Sequence, residues 1–510
     1  MCENIENYTT RLELVAKEGL LSIQSQYPNA YFYFFEPEYW LYFYDVSNKF
    51  KLGINVLEIT LDVMIKKRSG NQSPKVCLAP EDTIVYVGRP YQLLRYLNHP
   101  NVKARVNPIV FVSIPLYSHT LKFDVWKRSV DFSSFNSLCF PFLPCRHFLQ
   151  LSIGSFKNIF LGAPLFETKA LKAALSSLAY LYGRFDRVYA IGSFSSDIAK
   201  GFLDNCQPQN SQSGRNNLIL FDRTIDLLSL MIINNSYIGL AEELDIWDPM
   251  DDRIRNRALA GILNVPENQV TKYPIYTEND PLFPKLSLLN LEEALRNVRM
   301  SDVRNCTTEN LVQDHTILLN WLNQEVKRQY FVDLSLKIMK GLVNAEQDGR
   351  CIAINPFGPS LAFRVLSVLH HHKVGTAKPL ARLLAARFGL TMFSKWNQID
   401  NICLKTPFVK PPEKIRVVNQ QMGTIASLLG IILADEWKRP NFPMNDSYVS
   451  SSVALSNEKR RWFVGVIGGM TSTELKIFKQ IAKICRPNDE FVFMSTEIIS
   501  GRKFMESVLF

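Results

Sequence analysis

Short continuous apolar runs alternate with amphipathic segments along the first 235 residues. The apolar runs predict strands at 82–90, 107–116, 156–162, 186–192 and 218–222. The amphipathic segments predict helices at 8–26, 169–183 and 195–205. Continuous apolar strands that alternate with helices are typical of parallel sheets covered on both faces, so this part of the chain is expected to be α/β.

An aromatic stretch, AYFYFFEPEYWLYFY at 30–44, interrupts this rhythm. Aromatic side chains favour strands because they pack well on a pleated surface. Glu36, Pro37 and Glu38 divide the stretch, and proline is disfavoured inside a strand. The pattern therefore predicts two short strands around a turn.

The pattern becomes helical over 236–405. The predicted helices there are 285–299, 312–343, 359–371 and 376–389. A buried helix is predicted at 425–434, and the strand–helix alternation then returns at 460–484 and 490–509. A helical block is thus inserted between two α/β blocks, and we expect the strands of 185–222 and 462–510 to share one sheet.

The composition is that of a globular protein, with 47% hydrophobic and 21% charged residues and a net charge of +10 over 510 residues. The short basic clusters at 66–68 and 458–462 favour solvated faces, with an anionic partner or membrane surface as the alternative. Nine scattered cysteines include no C-x-x-C, which disfavours a zinc site or a disulfide framework. With no secretory signal and no apolar run of spanning length, we expect a soluble protein of a reducing compartment.

Candidate chemistry centres on LILFDRTIDLLSLMI, where Asp222, Arg223 and Asp226 follow a buried strand. Such a strand resembles one whose Asp holds Mg²⁺ in nucleotide-binding proteins, but the sequence contains no G-x-x-x-x-G-K-[ST] loop. The Gly-rich turn at 465–474 is an alternative anion site, since it precedes a helix. The competing interpretation is a tight turn with Thr471 or Ser472 as the helix N-cap.

A structural role for the three residues is favoured. Asp222 can cap the turn that follows it, and Arg223 is expected to be buried with its guanidinium bonded to carbonyls or a carboxylate. With Asp226 they would form a domain junction. The run His370–His372 does not predict a metal site, because consecutive helical side chains point about 100° apart. No nucleophile motif occurs in the sequence, and no catalytic residue, metal or cofactor is expected.

LILFDRTIDLLSLMIINNSYIGLAEEL resembles the signature of the SM family, the Sec/Munc-type syntaxin-binding regulators of membrane fusion. The family pattern is a strand, D-R-x-x-D-L, and a Tyr-x-Gly-Leu element before acids, here Tyr237, Gly239, Leu240, Glu242 and Glu243. The C-terminal stretch is similar to the vacuolar protein sorting-associated protein 33 subfamily. The matching residues there are Gly468, Gly469, Thr471, Glu474 and Gly501.

The resemblance implies an arch of three domains: an α/β domain 1 (1–135), a discontinuous α/β domain 2 (136–235 and 415–510) and a mostly helical domain 3 (236–414). It implies no catalytic activity. It also implies binding to syntaxin-type SNARE proteins within a HOPS or CORVET tethering complex, held there by a subunit like vacuolar protein sorting-associated protein 16. The expected location is cytoplasmic, at late endosome, lysosome or vacuole membranes through partners.

Two features of domain 3 bear on partner binding. The family's long helical hairpin is expected to be shortened here, because only 301–314 separate two helical stretches. In the segment 377–396, several side chains share a helix face at spacings of three and four. These candidate partner-binding residues are Leu380, Leu383, Leu384, Arg387 and Phe388. The same face could instead be core, and both interpretations stay open at this point.

Overall fold

The structure is a computed structural model of the 510-residue chain. It describes residues 3–34, 37–56, 83–88, 109–113, 132–137, 142–145, 148–151, 155–162, 165–205, 213–232, 234–249, 253–264, 266, 280, 282–300, 306–329, 359–375, 377–407, 409–415, 423–435, 447–451 and 459–510.

The chain divides into two compact units. The first comprises Met1–Gly154, Gly162–Asp186 and Ile198–Asn216, and the second comprises Ser155–Leu161, Arg187–Asp197 and Asn217–Phe510. The predicted division into three domains, 1–135, 136–235 with 415–510, and 236–414, stays a prediction.

A parallel five-stranded sheet forms the centre of the first unit, in the order β2-β1-β3-β4-β5. Its strands are β1 (Tyr31–Phe34), β2 (Asn55–Val56), β3 (Ile84–Gly88), β4 (Ile109–Ser113) and β5 (Phe132–Ser137). The first unit also contains the antiparallel pair β6 (Phe142–Pro144) and β7 (Leu149–Leu151). Its helices include Glu3–Gln26, Pro37–Lys49 and Leu165–Tyr182. Gly183 follows the last of these with a φ of 95°, as expected of a residue that ends a helix.

The aromatic stretch at 30–44 is only half strand. Its first part is β1, but a helix begins at Pro37 and continues to Lys49. The second predicted strand is therefore wrong. Proline is favoured at the first position of a helix, where its missing N–H has no partner to lose. Tyr39, Phe43 and Val46 are all buried, and their spacing of four and three is that of one helix face.

The predicted strand at 156–162 is also wrong, because Lys157–Leu161 forms a π-helix. Phe156 packs against Phe160, with ring centroids 4.9 Å apart, and against Phe504 at 5.0 Å. A short apolar run does not by itself distinguish a strand from a buried helical turn.

Five strands of one mixed sheet belong wholly or partly to the second unit, in the order β12-β8-β9-β13-β14. They are β8 (Arg184–Ile191), β9 (Ser213–Asp222), β12 (Ser447–Ser451), β13 (Arg461–Ile467) and β14 (Glu490–Ser495). Strand β9 thus lies between β8 and β13, which confirms that the strands of 185–222 and 462–510 share one sheet. The helix Ser193–Asn205 follows β8, Ser472–Cys485 follows β13, and Gly501–Leu509 follows β14.

Helices make up most of the described part of 236–435. Their bounds are Tyr237–Glu243, Asn256–Leu263, Phe283–Leu286, Leu291–Met300, Cys306–Gln329, Pro359–His371, Ala377–Phe388, Leu390–Cys403 and Thr424–Leu433. A two-stranded pair, β10 (Trp247–Asp248) and β11 (Arg253–Ile254), lies among them. The predicted helices at 359–371, 376–389 and 425–434 are confirmed. The prediction at 312–343 is confirmed as far as Gln329, and its remainder lies outside the described residues, as do residues 301–305 of the expected shortened hairpin.

Within the described residues, no helix combines the length and the apolar character that crossing a membrane requires.

Candidate functional site

Asp222 caps a helix, but not the turn that follows it. Its carboxylate accepts hydrogen bonds from the backbone N–H of Phe194 (2.8 Å) and of Ser195 (3.0 Å), and from the Ser195 hydroxyl (2.5 Å). In the turn Arg223–Ile225, by contrast, Asp222 makes no side-chain capping bond. The prediction that Asp222 caps the turn after it is therefore wrong, because Asp222 caps the helix Ser193–Asn205 instead. Because β8 and β9 are neighbours, the helix that starts after β8 presents its first amides to the end of β9.

The Asp222 carboxylate is closed off from solvent. Gly192 approaches so closely that a Cβ there would lie 2.3 Å from Asp222 Oδ2. Burial raises the pKa of Asp222 to about 7, although its bonds to Ser195 and Phe194 act in the opposite direction. Both carboxylate oxygens are excluded from solvent and already accept hydrogen bonds, so a hydrated Mg²⁺ of a nucleotide site has no space to bind Asp222.

Arg223 is fully buried, with 0% of its surface exposed. Its guanidinium forms a two-bond ion pair with the Glu474 carboxylate, both bonds 2.8 Å, and donates twice to the Asp226 carbonyl at 3.1 and 2.7 Å. A longer bond of 3.4 Å reaches the Gly469 carbonyl. The prediction of a buried Arg223 bonded to carbonyls and a carboxylate is confirmed. Planar two-bond pairing of this kind is specific to arginine.

The Gly-rich turn is packed directly on Arg223. Gly468 and Gly469 have φ values of 101° and 105°, in the region that favours glycine. A Cβ at Gly468 would lie 2.9 Å from Arg223 Cβ and 2.8 Å from the Phe160 ring. The turn at 465–474 therefore does not border an open cleft beside Asp222.

The first backbone N–H groups of the helix after this turn already donate hydrogen bonds to side chains of the protein. Thr471 is the N-cap and forms a capping box with Glu474. The Ser472 N–H donates to the Glu242 carboxylate at 3.0 Å, and the Ser472 hydroxyl donates to it at 3.1 Å. An internal carboxylate thus occupies the place where a phosphate would bind at a helix N-terminus. The alternative interpretation, a phosphate- or nucleotide-binding turn, is not supported.

Asp226 joins a different pair of elements. Its carboxylate accepts from the Ser229 hydroxyl at 2.8 Å and from the Ile425 N–H at 3.1 Å. Burial raises the pKa of Asp226, and the neighbouring Arg223 acts in the opposite direction. Asp226 therefore holds the start of the helix Thr424–Leu433 against the end of β9.

Glu243, next to Glu242, pairs with a second buried arginine. The Arg364 guanidinium donates to Glu243, to the Met231 carbonyl (3.3 Å) and to the Ile232 carbonyl (3.4 Å). A Cβ at Gly501 would lie 2.0 Å from the Leu230 carbonyl oxygen, so glycine is required where the C-terminal helix crosses this ion pair.

A buried chain of three polar side chains anchors the helix that carries both acids. The Tyr237 hydroxyl lies 2.9 Å from His315 Nδ1, and His315 Nε2 lies 2.5 Å from Asp280 Oδ2. The other Asp280 oxygen accepts from the Leu282 and Phe283 amides. Sequence reasoning missed His315, Asp280, Glu474 and Arg364 as partners, since nothing in their local sequence shows which charge each one meets.

A cavity of about 330 Å³ lies beside these acids. Asp226, Glu242, Glu243 and Glu474 line it, and each already bonds to a guanidinium, a backbone N–H or a hydroxyl of the protein. These four acids are therefore engaged in structural bonds, and none of the four is free to act as a base. Among the described residues, no three His, Cys, Asp or Glu side chains are grouped as a metal site would require.

The predicted partner-binding face of the helix Ala377–Phe388 is mostly core where the structure describes it. Leu380 and Leu384 are buried in a hydrophobic cluster, and Phe388 packs against that cluster. Leu380 and Leu384 therefore belong to the core with Phe363 and Trp396, whereas Phe388 is half-buried and its partner-binding role stays a prediction. The side chains of Leu383 and Arg387 lie outside the described residues, so their role stays a prediction.

Replacing Arg223 tests its structural role. Arg223→Ala should lower the free energy of unfolding by on the order of 3 kcal/mol, because it leaves the Glu474 carboxylate and two carbonyls without their donor. Arg223→Lys should be intermediate, since an ammonium cannot reproduce the planar pairing. Chemical denaturation measures both. Arg296→Ala, which removes an exposed guanidinium, is the control, and equal stability of Arg223→Ala and this control would refute the role.

Glu242 should make stability depend on pH. Burial raises its pKa from the ordinary 4.5 to about 8, so between these values the folded protein holds a proton that the unfolded chain has released. The contribution of this group to stability is therefore greatest below about pH 4.5 and falls as pH rises towards 8. The variant Glu242→Gln keeps an oxygen that accepts from Ser472 but does not titrate, so its free energy of unfolding should decline less over this pH range than that of the wild type. An unchanged slope, matching the exposed-site variant Glu292→Gln, would contradict this.

Part of this chain is similar in sequence to a known protein family. Residues 122–344 match the model of the Sec1 family. A search of curated protein sequences found no match. The SM protein Vps45, solved in complex with the Qa SNARE Tlg2, is 11% identical with a TM-score of 0.55, over 98% of this chain and 97% of that one.

Two further solved structures show the same similarity. Unc18 in its complex with syntaxin 1 from Monosiga brevicollis is 14% identical with a TM-score of 0.56, over 98% of this chain and 99% of that one. Sly1p in complex with an N-terminal peptide of Sed5p is 13% identical with a TM-score of 0.51, over 100% of this chain and 98% of that one. Identities this low carry the fold alone.

The predicted fold class, α/β with parallel sheets covered by helices in an SM-type fold, is confirmed over nearly the whole chain. The predicted family agrees with the match at residues 122–344, and the solved structures named above are those of Vps45, Unc18 and Sly1p. The finer resemblance to the protein 33 subfamily stays a prediction. This chain thus matches the Sec1 family model at residues 122–344 and is similar in fold to SM proteins over nearly its whole length.

Proposed function

We propose that this chain binds a syntaxin-type Qa SNARE and regulates SNARE-mediated membrane fusion without catalysing a reaction. The observation that carries the proposal is the similarity of fold over at least 98% of the chain to SM proteins that were solved with SNAREs or a SNARE peptide. Vps45 was solved with the Qa SNARE Tlg2, and Unc18 with syntaxin 1.

The chemistry of the central network supports a non-enzymatic role. Asp222, Arg223, Asp226 and Glu242 each bond to partners inside the protein, and these bonds fix the relative positions of helices and strands. We propose that they form the junction between the α/β and helical parts. Such a junction would hold a partner-binding surface in one geometry, which lowers the entropic cost of binding.

SNARE binding is tested with the purified full chain and immobilised cytosolic regions of a panel of SNAREs. At least one Qa SNARE should retain the chain, while Qb, Qc and R SNAREs from the same membranes should not. Retention by no Qa SNARE, or equal retention by all four classes, would overturn the proposal.

We further propose that the chain is the SM subunit of a HOPS- or CORVET-type tethering complex on late endosome, lysosome or vacuole membranes. Its support is the motif resemblance in the C-terminal stretch, at Gly468, Gly469, Thr471, Glu474 and Gly501. Within such a complex a subunit like vacuolar protein sorting-associated protein 16 would hold it, and Leu383 and Arg387 remain candidates for that contact.

Affinity purification of the tagged chain tests the tether role. The protein 16-like subunit should co-purify, and the variant Leu383→Glu with Arg387→Glu should lose it while keeping its melting temperature. Recovery of a Qa SNARE without any tether subunit would reject the tether role and leave SNARE regulation standing.

A further inference from the structure

Positive charge is concentrated in one segment of the second unit. Residues 359–415 contain nine Lys and Arg but only two Asp and Glu, a net charge of +7, whereas the whole chain carries +10. One of the two acids, Asp400, and one of the nine cations, Arg364, are buried. The segment contains three successive helices, Pro359–His371, Ala377–Phe388 and Leu390–Cys403.

The first and third of these helices run in the same direction. The Trp396 indole N–H donates to the Ser367 hydroxyl at 2.9 Å, and His370 Nδ1 lies 2.5 Å from Asp400 Oδ2. The residue numbers of the two contacts increase together, from Ser367 to His370 on the first helix and from Trp396 to Asp400 on the third, so the two helices are parallel. Their C-terminal ends therefore lie side by side, and the second helix starts from the same end, after a short turn.

Basic and aliphatic side chains meet at that end. Val374 and Leu404 follow the two helix ends and are 40% and 41% exposed, so both aliphatic side chains face solvent. Lys373 and Lys405 adjoin them in the chain, Lys378 is the second residue of the helix Ala377–Phe388, and all three lysines are exposed. We call these five residues the basic tip.

The backbone of the basic tip is well ordered by its own hydrogen bonds. The Val374 N–H donates to the Leu369 carbonyl at 2.9 Å, and the Leu404 N–H donates to the Asp400 carbonyl at 2.9 Å. The two aliphatic side chains are thus presented by fixed turns. Their exposure follows from the way the helices end.

We propose that the basic tip docks directly on an anionic phospholipid membrane. Lysine ammonium groups are attracted to the phosphates and carboxylates of lipid headgroups, and aliphatic side chains beside them can enter the boundary of the acyl layer. A surface that binds an acidic protein would need the same charge, but exposed aliphatic side chains set among lysines fit the layered polar and apolar structure of a membrane surface.

This inference does not rest on the proposed SNARE or tether binding. It assigns to the chain its own contact with the membrane, in addition to any recruitment by partners. A chain that binds vesicles without SNAREs, or SNAREs without vesicles, separates the two proposals.

Vesicle flotation of the purified full chain tests the inference. Vesicles of phosphatidylcholine with phosphatidylserine should bind the chain, and vesicles of phosphatidylcholine alone should bind it much less. Each basic residue at an anionic surface strengthens binding about fivefold, so Lys373→Glu with Lys405→Glu should weaken it about 25-fold or more. Val374→Ser with Leu404→Ser should weaken it without changing its dependence on salt.

The matched control is Arg257→Glu with Lys483→Glu, which changes the net charge equally at two other exposed positions of the second unit. Its vesicle binding should stay close to that of the wild type, and melting curves should show all variants folded. The inference fails if phosphatidylserine makes no difference, or if the control loses as much binding as the variant of the tip. It also fails if the tip variant keeps its vesicle binding and instead loses an acidic protein partner.

Discussion

A guanidinium without contact to water must have its charge matched inside the protein, and Arg223 imposes this requirement on the second unit. The effective cost of removing an ion from water is several kcal/mol, and only good geometry with additional hydrogen bonds offsets it. Glu474 and the Asp226 carbonyl supply that geometry. Since Glu474 stands on the helix after β13, the position of that helix, of the glycine turn before it and of β9 are set together.

Three other buried acids are also matched by hydrogen bonds within the protein. Asp222, Asp226 and Glu242 each accept a backbone N–H from the first turn of a helix that belongs to another part of the chain. Amides at a helix start have no partner within the helix, so each acid satisfies a group that would otherwise be unpaired. Burial raises the pKa of all three. These acids are therefore fixed in place by hydrogen bonds more than by charge.

Most strands, the long helices and the burial of Arg223 could be predicted from the sequence, because each depends on a local pattern. The charged pair Asp222 and Arg223 directly follows four apolar residues, so it has to be buried with partners or to leave the sheet, and the end of β9 shows the first outcome. The two wrongly predicted strands are an aromatic segment and a short apolar segment, whose residue spacing fits a helix as well as a strand. Tyr39 and Phe43, for example, lie four residues apart on one helix face.

Partners distant in sequence could not be predicted. Glu474 lies 251 residues after Arg223, and Asp222 caps a helix that precedes it by 27 residues. The face of Leu380 and Leu384 has the spacing of a binding face and of a core face alike. Only the position of Trp396 and its neighbours decides between them.

The separation of Arg223 from Glu474 has a consequence for biosynthesis. At roughly 5–20 residues per second, a ribosome needs on the order of 10–50 s to translate the residues between them. During that interval the nascent chain carries the end of β9 without the strand and the carboxylate that complete it. Until Glu474 is translated, the apolar strand and the arginine lack the partners that bury them, and exposed surface of this kind is what chaperones protect from aggregation.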